Sequence, residues 1–172
     1  MRPIHLAFAF LAAACAPDRD AATPGSGDAA ASLAAAEAAV AGLRARLDSM
    51  TRVDAALAQG DAASSFSAYY EGEALRAITE SLDQGDFGRS EEEYFLVDGS
   101  VVYWTARGVR VRPGEPGTMD SVRWRVALDG SGGVVAAEKL VNREAAPLEE
   151  SRAATIVNHA RELERAARAL RR

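Results

Sequence analysis

Residues 93–107, EYFLVDGSVVYWTAR, decide the fold of this chain. Two apolar runs flank Asp98-Gly99, a dipeptide that favours a tight hairpin turn because both residues tolerate positive φ. Residues 94–97 and 101–104 are apolar at successive positions, and successive side chains of a strand point to opposite faces of a sheet. The stretch therefore predicts two central antiparallel strands whose two faces both need to be covered.

Outward from this hairpin, an alternating pattern and turn residues recur at strand-length intervals, which is typical of an antiparallel meander. We expect five or six strands: residues 65–70, 73–81, 93–97, 100–107 with a continuation to 112, 121–128 and 134–142. Glu71-Gly72 marks another tight turn between two of them. The strands are then joined by consecutive hairpins.

Helical periodicity frames the predicted sheet at both ends. An alternating spacing of three and four predicts an amphipathic helix over residues 29–59, carried by Leu33, Ala36, Val40, Leu43, Leu47, Met50 and Leu57. Gly60 suits its C-terminal cap. The same spacing predicts a second helix over residues 147–170, with Pro147 in its first turn. The first helix either docks on its own domain, which its few large apolar residues favour, or forms an oligomeric coiled coil.

The N-terminal residues carry the pattern of an export signal. Arg2 precedes an eleven-residue run, residues 4–14, that is apolar except for His5 and ends in three alanines. Eleven helical residues span about 16 Å, which is too short for the roughly 30 Å of hydrocarbon in a bilayer. Residues 1–14 are therefore predicted to be a signal peptide that is removed, and not a permanent membrane span.

Residues 11–15, LAAAC, resemble the lipobox of bacterial lipoprotein precursors, in which small residues precede a cysteine that becomes the lipidated N-terminus. Ala12 stands where that motif usually has Leu. The resemblance implies that Cys15 is acylated and anchors the protein to a membrane facing the periplasm, and Ala16 in place of Asp implies the outer membrane. Several acyl chains give stable anchoring, since each buried methylene contributes about 0.8 kcal/mol. The alternatives are cleavage after Ala14 without lipid, and no cleavage.

Residues 15–28 join the lipid anchor to the folded part of the chain. Their sequence lacks large apolar residues and predicts a flexible linker with a coil span of about 20 Å. Residues 29–172 then form a single α+β domain. A formal net charge of −5 disfavours nucleic acid as a partner, because phosphate binding needs a basic surface. The single cysteine allows neither an intrachain disulfide nor a thiolate zinc site.

The sequence contains few residues for catalysis or metal binding. His159 is the only histidine after residue 14, and its position off the apolar seam of the second helix predicts a solvent-exposed side chain. No GxSxG, P-loop, HExxH or CxxC pattern occurs. Five acidic residues between Asp83 and Glu93 lack the order of a calcium loop and predict a solvated acidic loop. We therefore expect a non-enzymatic protein with no metal and no cofactor.

Arginines alternate with apolar residues in two nearby segments, residues 109–112 and 122–126. Pairing of these segments would put four side chains on one face, which we call the arginine hairpin: Arg110, Arg112, Arg123 and Arg125. Such a set would bind phosphate, carboxylate or an anionic glycan. Tyr103 and Trp104 add a stacking surface. The alternative is that the arginines pair with acids such as Glu138 and that the aromatic residues are core.

Two functions of different classes follow from these features, and a hydrolase that uses carboxylates alone stays open as a third, which paired carboxylates in a cleft would favour. The first is a non-catalytic interaction module for an unidentified envelope protein or polymer, which binds through the sheet face or the arginine hairpin. The second is a small-ligand or anion-binding lipoprotein, which uses an apolar sheet face between Tyr103 and Trp124 together with the arginine hairpin. A closed pocket with converging polar groups would favour the second function, and an open apolar face would favour the first.

Overall fold

The computed structural model describes residues 26–60 and 62–171, which form an α+β fold. The helices are α1 (Ser26–Arg44) and α2 (Arg152–Leu170). The strands are, in chain order, β1 (Thr51–Gln59), β2 (Ala62–Glu71), β3 (Ala74–Asp83), β4 (Gly88–Val97), β5 (Ser100–Arg112), β6 (Glu115–Leu128), β7 (Val134–Val141) and β8 (Glu144–Ala145). The predicted signal peptide, the predicted lipidation site Cys15 and most of the predicted linker lie outside the described residues.

The strands form one antiparallel sheet in the order β1 to β8, so each strand pairs with its neighbours in sequence. This order confirms the predicted meander, although the sheet has eight strands where the sequence predicts five or six. At its centre, Asp98 and Gly99 join β4 to β5 with φ angles of 50° and 78°. Both residues are therefore in the left-handed region that the predicted tight turn requires.

The first helix is shorter than predicted, because the second half of the predicted segment is strand β1. Helix α1 ends at Arg44, and β1 pairs with β2 along its whole length. Val53, Ala55 and Leu57 are half-buried and alternate with exposed residues. Leu57 fits a helical spacing and an alternating spacing equally well, while a β-branched residue such as Val53 favours the strand.

Other boundaries also differ from the prediction, among them the starts of β2 at Ala62 and of β4 at Gly88. Gly60, predicted to cap the first helix, has a φ of 59° in the turn between β1 and β2. Strand β6 begins at Glu115 and not at residue 121, because the turn after β5 is only the two residues Pro113-Gly114. The two-residue strand β8 follows β7, and α2 begins at Arg152, after a non-helical segment.

Helix α1 covers one face of the sheet, which we call the α1 face. Leu33 and Val40 are each 2% exposed and pack against a set of small and aromatic sheet residues: Ala77, Phe95, Tyr103, Ala127 and Ala136. The apolar seam of this helix therefore packs within the chain, which is the arrangement that its composition favours. An oligomer through residues 29–59 stays a prediction.

Helix α2 covers the opposite face, the α2 face, which carries the larger core. Its buried residues follow the spacing of three and four that predicts this helix: Ile156, Ala160, Leu163 and Ala167. They belong to one apolar cluster with residues of β2 to β6, among them Phe66, Tyr70, Ile78, Tyr94, Leu96, Trp104, Val122, Trp124 and Val126. Five of these partners are aromatic, so this face holds most of the large side chains of the core.

One helix on each face confirms that the central hairpin is buried on both sides. Phe95 and Tyr103 belong to the α1 face, while Tyr94 and Trp104 belong to the α2 face. The predicted apolar face between Tyr103 and Trp124 is therefore wrong, because these residues lie on opposite faces and are 1% and 8% exposed. Neither helix of the described residues has the length and hydropathy needed to cross a bilayer.

Candidate functional site

The four residues of the arginine hairpin do not share a face. In the pairing of β5 with β6, Arg107 lies opposite Arg123 and Arg110 lies opposite Asp120. Directly opposed residues of an antiparallel pair point to the same face. Arg123 and Arg125 therefore lie on the α1 face with Arg107, whereas Arg110 lies on the α2 face. The prediction of a single four-arginine surface is wrong.

The core sets this register. Tyr103 lies opposite Ala127 and Trp104 lies opposite Val126, so even-numbered residues of β5 share a face with even-numbered residues of β6. A shift by one residue would turn each of these buried side chains to the wrong face of the sheet. Packing of large apolar residues therefore decides where the arginines lie.

Three of the four arginines are paired with acids inside the chain. Arg123 and Arg125 lie 3.2 Å and 3.0 Å from carboxylate oxygens of Glu138, and hydrogen bonding from Arg125 lowers the pKa of that carboxyl. Arg112 lies 2.9 Å from Asp120 and lowers the pKa of that carboxyl in the same way. The predicted alternative, pairing with acids such as Glu138, is confirmed for Arg123 and Arg125.

Arg110 and Trp104 line a cleft of about 660 Å³ between the sheet and the N-terminal half of α2. The polar lining includes Arg89, Ser90, Glu92, Arg110, Arg152 and His159. The apolar lining includes Leu82, Trp104, Val122, Trp124 and Ile156. Of the predicted binding residues, Arg110 and Trp104 are thus brought together, while Tyr103 packs with Phe95 in the core of the other face.

Three residues that line this cleft each have a buried N–H group with no hydrogen-bond partner within the described residues. The three groups are Nε of Arg110, Nε1 of Trp124 and Nε of Arg152. Trp124 is only 8% exposed, so its indole N–H is withheld from bulk solvent. A buried donor without an acceptor costs about 1–3 kcal/mol. Three such residues around one recess indicate a place that suits an acceptor-rich group.

The backbone brings Arg110 to this position through an unusually close contact between β4 and β5. Gly88 lies opposite Arg110, and a Cβ atom on Gly88 would lie 2.2 Å from the carbonyl oxygen of Val109. Only glycine permits this approach, and its φ of 135° is also one that other residues rarely adopt. Gly88 therefore lets the backbone of β4 approach the backbone of β5 at Arg110, which lines the cleft.

Helix α2 forms one wall of the cleft along its first three turns, from Arg152 to Glu162. The backbone N–H groups of Arg152 and Thr155 donate to Glu149 and Ser151, so the start of the helix contributes the side chain of Arg152 to the cleft. The guanidinium carbon of Arg152 lies 5.4 Å from the ring centroid of Trp124 and holds the cation over the aromatic floor.

A buried carboxylate lies beside these donors. The side chain of Glu80 on β3 has no exposed surface, and it accepts hydrogen bonds from Ser64 and from His159. Nε2 of His159 lies 2.9 Å and 3.0 Å from the two Glu80 oxygens. This hydrogen bond raises the pKa of His159 despite the opposing effect of burial. A buried carboxylate needs such partners, because an unpaired charge in the core is strongly disfavoured.

A second carboxylate, Glu92 on β4, connects this pair to the aromatic floor. Its Oε2 accepts hydrogen bonds from Tyr94 at 2.7 Å and from Trp104 Nε1 at 3.0 Å, and its Oε1 accepts one from Ser90 at 2.9 Å. Burial raises the pKa of Tyr94 well above its ordinary value, so this residue stays a donor. The network fixes Trp104 and leaves the indole of Trp124 without a comparable acceptor.

The prediction of a solvent-exposed His159 is wrong, because only 24% of its side chain is exposed. Its partner, Glu80, is 79 residues away in sequence, so helical periodicity alone does not reveal the pair. One signal was available in strand β3: Glu80 lies between Ile78 and Leu82, in the apolar phase of the alternation. A charged residue in a buried phase indicates a polar partner inside the core.

The predicted acidic loop is mostly strand. Glu91 accepts a hydrogen bond from Ser81, Glu92 turns into the cleft, and Glu93 pairs with Arg44 of α1 at 2.8 Å. Within residues 26–60 and 62–171, no group of three or more His, Cys, Asp or Glu side chains is arranged to hold a metal ion.

The cleft thus combines residues with unpaired N–H donors, two arginine side chains and an apolar lining with Glu92, a carboxylate that is already hydrogen-bonded. These features suit a small molecule that has an acceptor group and an organic body. No protein-family model, curated protein or solved structure matches this chain. The assignment of a function therefore depends on the geometry of the cleft.

Proposed function

We propose that this protein binds a small organic anion in the cleft beside α2. The observation that carries the proposal is the set of three buried donors without partners: Arg110 Nε, Trp124 Nε1 and Arg152 Nε. A carboxylate or phosphate has several lone pairs and would accept hydrogen bonds from more than one of these residues when their side chains turn toward it. The volume of about 660 Å³ lies within the range of small-molecule sites.

The aromatic floor supports an organic anion in preference to an inorganic one. Trp104 and Trp124 lie with their ring centroids 6.2 Å apart, and both line the cleft. They form an apolar lining for a ring or chain that carries the anionic group, together with Leu82, Val122 and Ile156. The guanidinium of Arg152 lies over the rings of Trp104 and Trp124, so charge and apolar contact are available together.

The other function predicted from the sequence, a non-catalytic interaction module for an envelope protein or polymer, stays a prediction, as does the absence of enzymatic activity. The cleft supports the ligand-binding alternative more directly. Its polar groups and aromatic floor lie in one recess, and such a recess fits a small molecule better than a broad partner surface.

Isothermal titration calorimetry of the full chain with benzoate, phenyl phosphate and benzamide tests the proposal. We expect both anions to bind and the neutral amide, which has the same ring, to bind at least tenfold more weakly. Arg110→Gln and Arg152→Gln should each reduce benzoate affinity by about tenfold to hundredfold, since a hydrogen bond to a charged group is worth about 1.5–3 kcal/mol.

The matched control is Arg107→Gln, because Arg107 is an exposed arginine of the same strand on the opposite face. This variant should bind benzoate as the unmodified chain does. Equal binding of benzoate and benzamide, or benzoate affinity that is unchanged in both cleft variants, would rule out anion binding in this cleft.

We also propose that the domain is held at a periplasm-facing membrane, the outer membrane, through a lipid on Cys15. The support is the resemblance of residues 11–15 to a lipobox, and Cys15 lies outside the described residues. Intact-mass measurement of protein extracted from bacterial membranes should give a chain that begins at Cys15 and carries acyl groups. The Cys15→Ser variant should lack them, and an unmodified thiol in the native protein would exclude the anchor.

A further inference from the structure

His159 occupies a position in the cleft that couples it to the proposed ligand. The ring lines the same recess as Arg110 and Arg152. Its Nε2 lies within 3.0 Å of both oxygens of Glu80, whose side chain is fully buried. A carboxylate only accepts hydrogen bonds, so Nε2 must carry a proton whenever Glu80 is ionised. The buried carboxylate therefore fixes the tautomer of the neutral ring.

Nδ1, the other ring nitrogen of His159, is the atom that gains or loses a proton. With Nε2 protonated, Nδ1 of the neutral ring has a lone pair, whereas Nδ1 of the charged ring has an N–H group. Nδ1 lies on the side of Glu162, 3.7 Å from its Oε2, and Glu162 also lines the cleft. Protonation of His159 thus converts an acceptor at the cleft into a donor and adds a positive charge.

Building on the proposed function, we infer that the cleft binds its organic anion together with a proton on His159. The charged ring adds a positive charge to the wall of the cleft and its Nδ1–H faces Glu162, so protonation attracts the anion electrostatically. The affinity of the cleft therefore depends on the protonation of His159. Linkage requires that the anion favours protonation by the same factor by which protonation favours the anion.

The groups around His159 support this coupling from every neighbouring element. Glu80 on β3, Glu92 and Tyr94 on β4, and Glu162 on α2 face the ring. The three acids favour the charged ring, and their joint effect, with the Glu80 hydrogen bond the largest, raises the pKa of His159. A bound anion adds to this effect. Anion affinity is therefore highest below the pKa of the free protein and falls as the pH rises through the pKa of the complex.

The experiment is calorimetric titration of the full chain with benzoate, which stays ionised throughout, between about pH 5.5 and 8.5, where histidine titrates. We expect the affinity to fall about tenfold across this range, a typical size for coupling between two sites. Titrations in two buffers with different ionisation enthalpies should show net proton uptake on binding at neutral pH.

His159→Gln is the decisive variant, because the glutamine amide can still donate to Glu80 but does not titrate. It should bind benzoate with an affinity independent of pH, while Arg107→Gln should keep the pH dependence of the unmodified chain. In the unmodified chain, the imidazole NMR signals of His159, separated from those of His5 with the His5→Gln variant, should show a higher pKa when benzoate is bound. This measurement does not depend on the folding of His159→Gln.

The outcomes separate the two proposals. Benzoate binding without proton uptake, or with the same pH dependence in His159→Gln, overturns the role of His159 and leaves the proposed function intact. The absence of benzoate binding at every pH overturns both. An unchanged pKa of His159 in the benzoate complex also overturns the inference.

Discussion

The two faces of the sheet are each covered by one helix, but they differ in how completely their arginine side chains are paired with acceptors. On the α1 face, Arg125 lies 3.2 Å from Glu37 of the helix and 3.0 Å from Glu138 of β7, so its charge is compensated on both sides. On the α2 face, Arg110 and Arg152 leave buried Nε atoms without acceptors. The α1 face thus satisfies the charge of Arg125, whereas the α2 face, which also holds the Glu80–His159 pair, leaves these two Nε donors without a partner among the described residues.

The faces also differ in how their polar groups are shielded. Glu138 keeps 30% of its side chain exposed, whereas the side chain of Glu80 has no exposed surface. Water screens the exposed ion pair. If one partner is removed, water hydrates the remaining charge and makes up part of the lost interaction. The buried pair has only its protein partners. The same type of interaction should therefore have very different effects on stability on the two faces.

The largest effect is expected for Glu80→Ala. It removes the buried acceptor of the hydrogen bonds from Ser64 and His159 and leaves both donors unpaired at about 1–3 kcal/mol each, so the total loss should be about 3–5 kcal/mol. Urea unfolding monitored by tryptophan fluorescence measures the change. Glu138→Ala is the matched variant on the α1 face and should cost less than about 1 kcal/mol. Equal losses would break the contrast between the faces.

Core truncation should give the next largest effect. Leu163→Ala on α2 removes a side chain with no exposed surface from the larger cluster and should cost about 3–4 kcal/mol. Leu33→Ala on α1 should cost about 2–3 kcal/mol, because the alanines around it leave fewer contacts to lose. Comparison of the two midpoints in urea checks the order, and a greater loss for Leu33→Ala would reverse it.

The free energy of unfolding should depend on pH in opposite directions for the ion pairs of the two faces. On the α2 face, the hydrogen bond to Glu80 raises the pKa of His159. The contribution of this pair to stability is complete below about pH 6.5, the ordinary value, and is lost as the pH rises through the raised pKa. On the α1 face, the hydrogen bond from Arg125 lowers the pKa of Glu138 from 4.5. That contribution is lost as the pH falls through the lowered pKa.

Unfolding free energies of three chains across the pH range test this assignment. His159→Gln should flatten the decline of stability at neutral to alkaline pH, and Glu138→Gln should flatten part of the decline in acid. The assignment would be wrong if His159→Gln changed the decline of stability in acid, or if Glu138→Gln changed the decline at neutral to alkaline pH.

The smallest effect is expected for Arg123→Ala. More than half of this side chain is exposed and its contact with Glu138 is 3.2 Å long, so the loss should be about 0–1 kcal/mol. A loss above about 2 kcal/mol in urea unfolding would mean that the α1 face depends on its ion pairs more than exposure suggests.

Local patterns predicted the fold better than the site. The sequence around Asp98-Gly99 contains both the turn chemistry and two continuous apolar runs, so a buried central hairpin follows from neighbouring residues. The second helix follows from its own spacing. Strand β1 could not be separated from a helix, because alanine-rich sequence with Leu57 satisfies both periods.

The candidate site depends on relations that no local pattern contains. The register of β5 with β6 decides whether Arg110 and Arg123 share a face. Core packing across the sheet sets that register. Arg152 meets Trp124 only because α2 returns across the sheet. The position of Glu80 in an apolar phase was the one local sign of a polar core, and its histidine partner lies on another element.

The order of the elements along the chain determines when each face is covered as the protein is made. Helix α1 precedes the sheet and can cover its face as soon as the strands pair, whereas α2 follows it. Trp104 and Trp124 therefore remain without their helix until residues 152–170 emerge, which is about 2 to 9 seconds after Trp124 at ordinary rates of synthesis. The face that forms the ligand cleft is also the one most open to aggregation in a nascent chain, and a chain that stops before α2 lacks the cleft wall altogether.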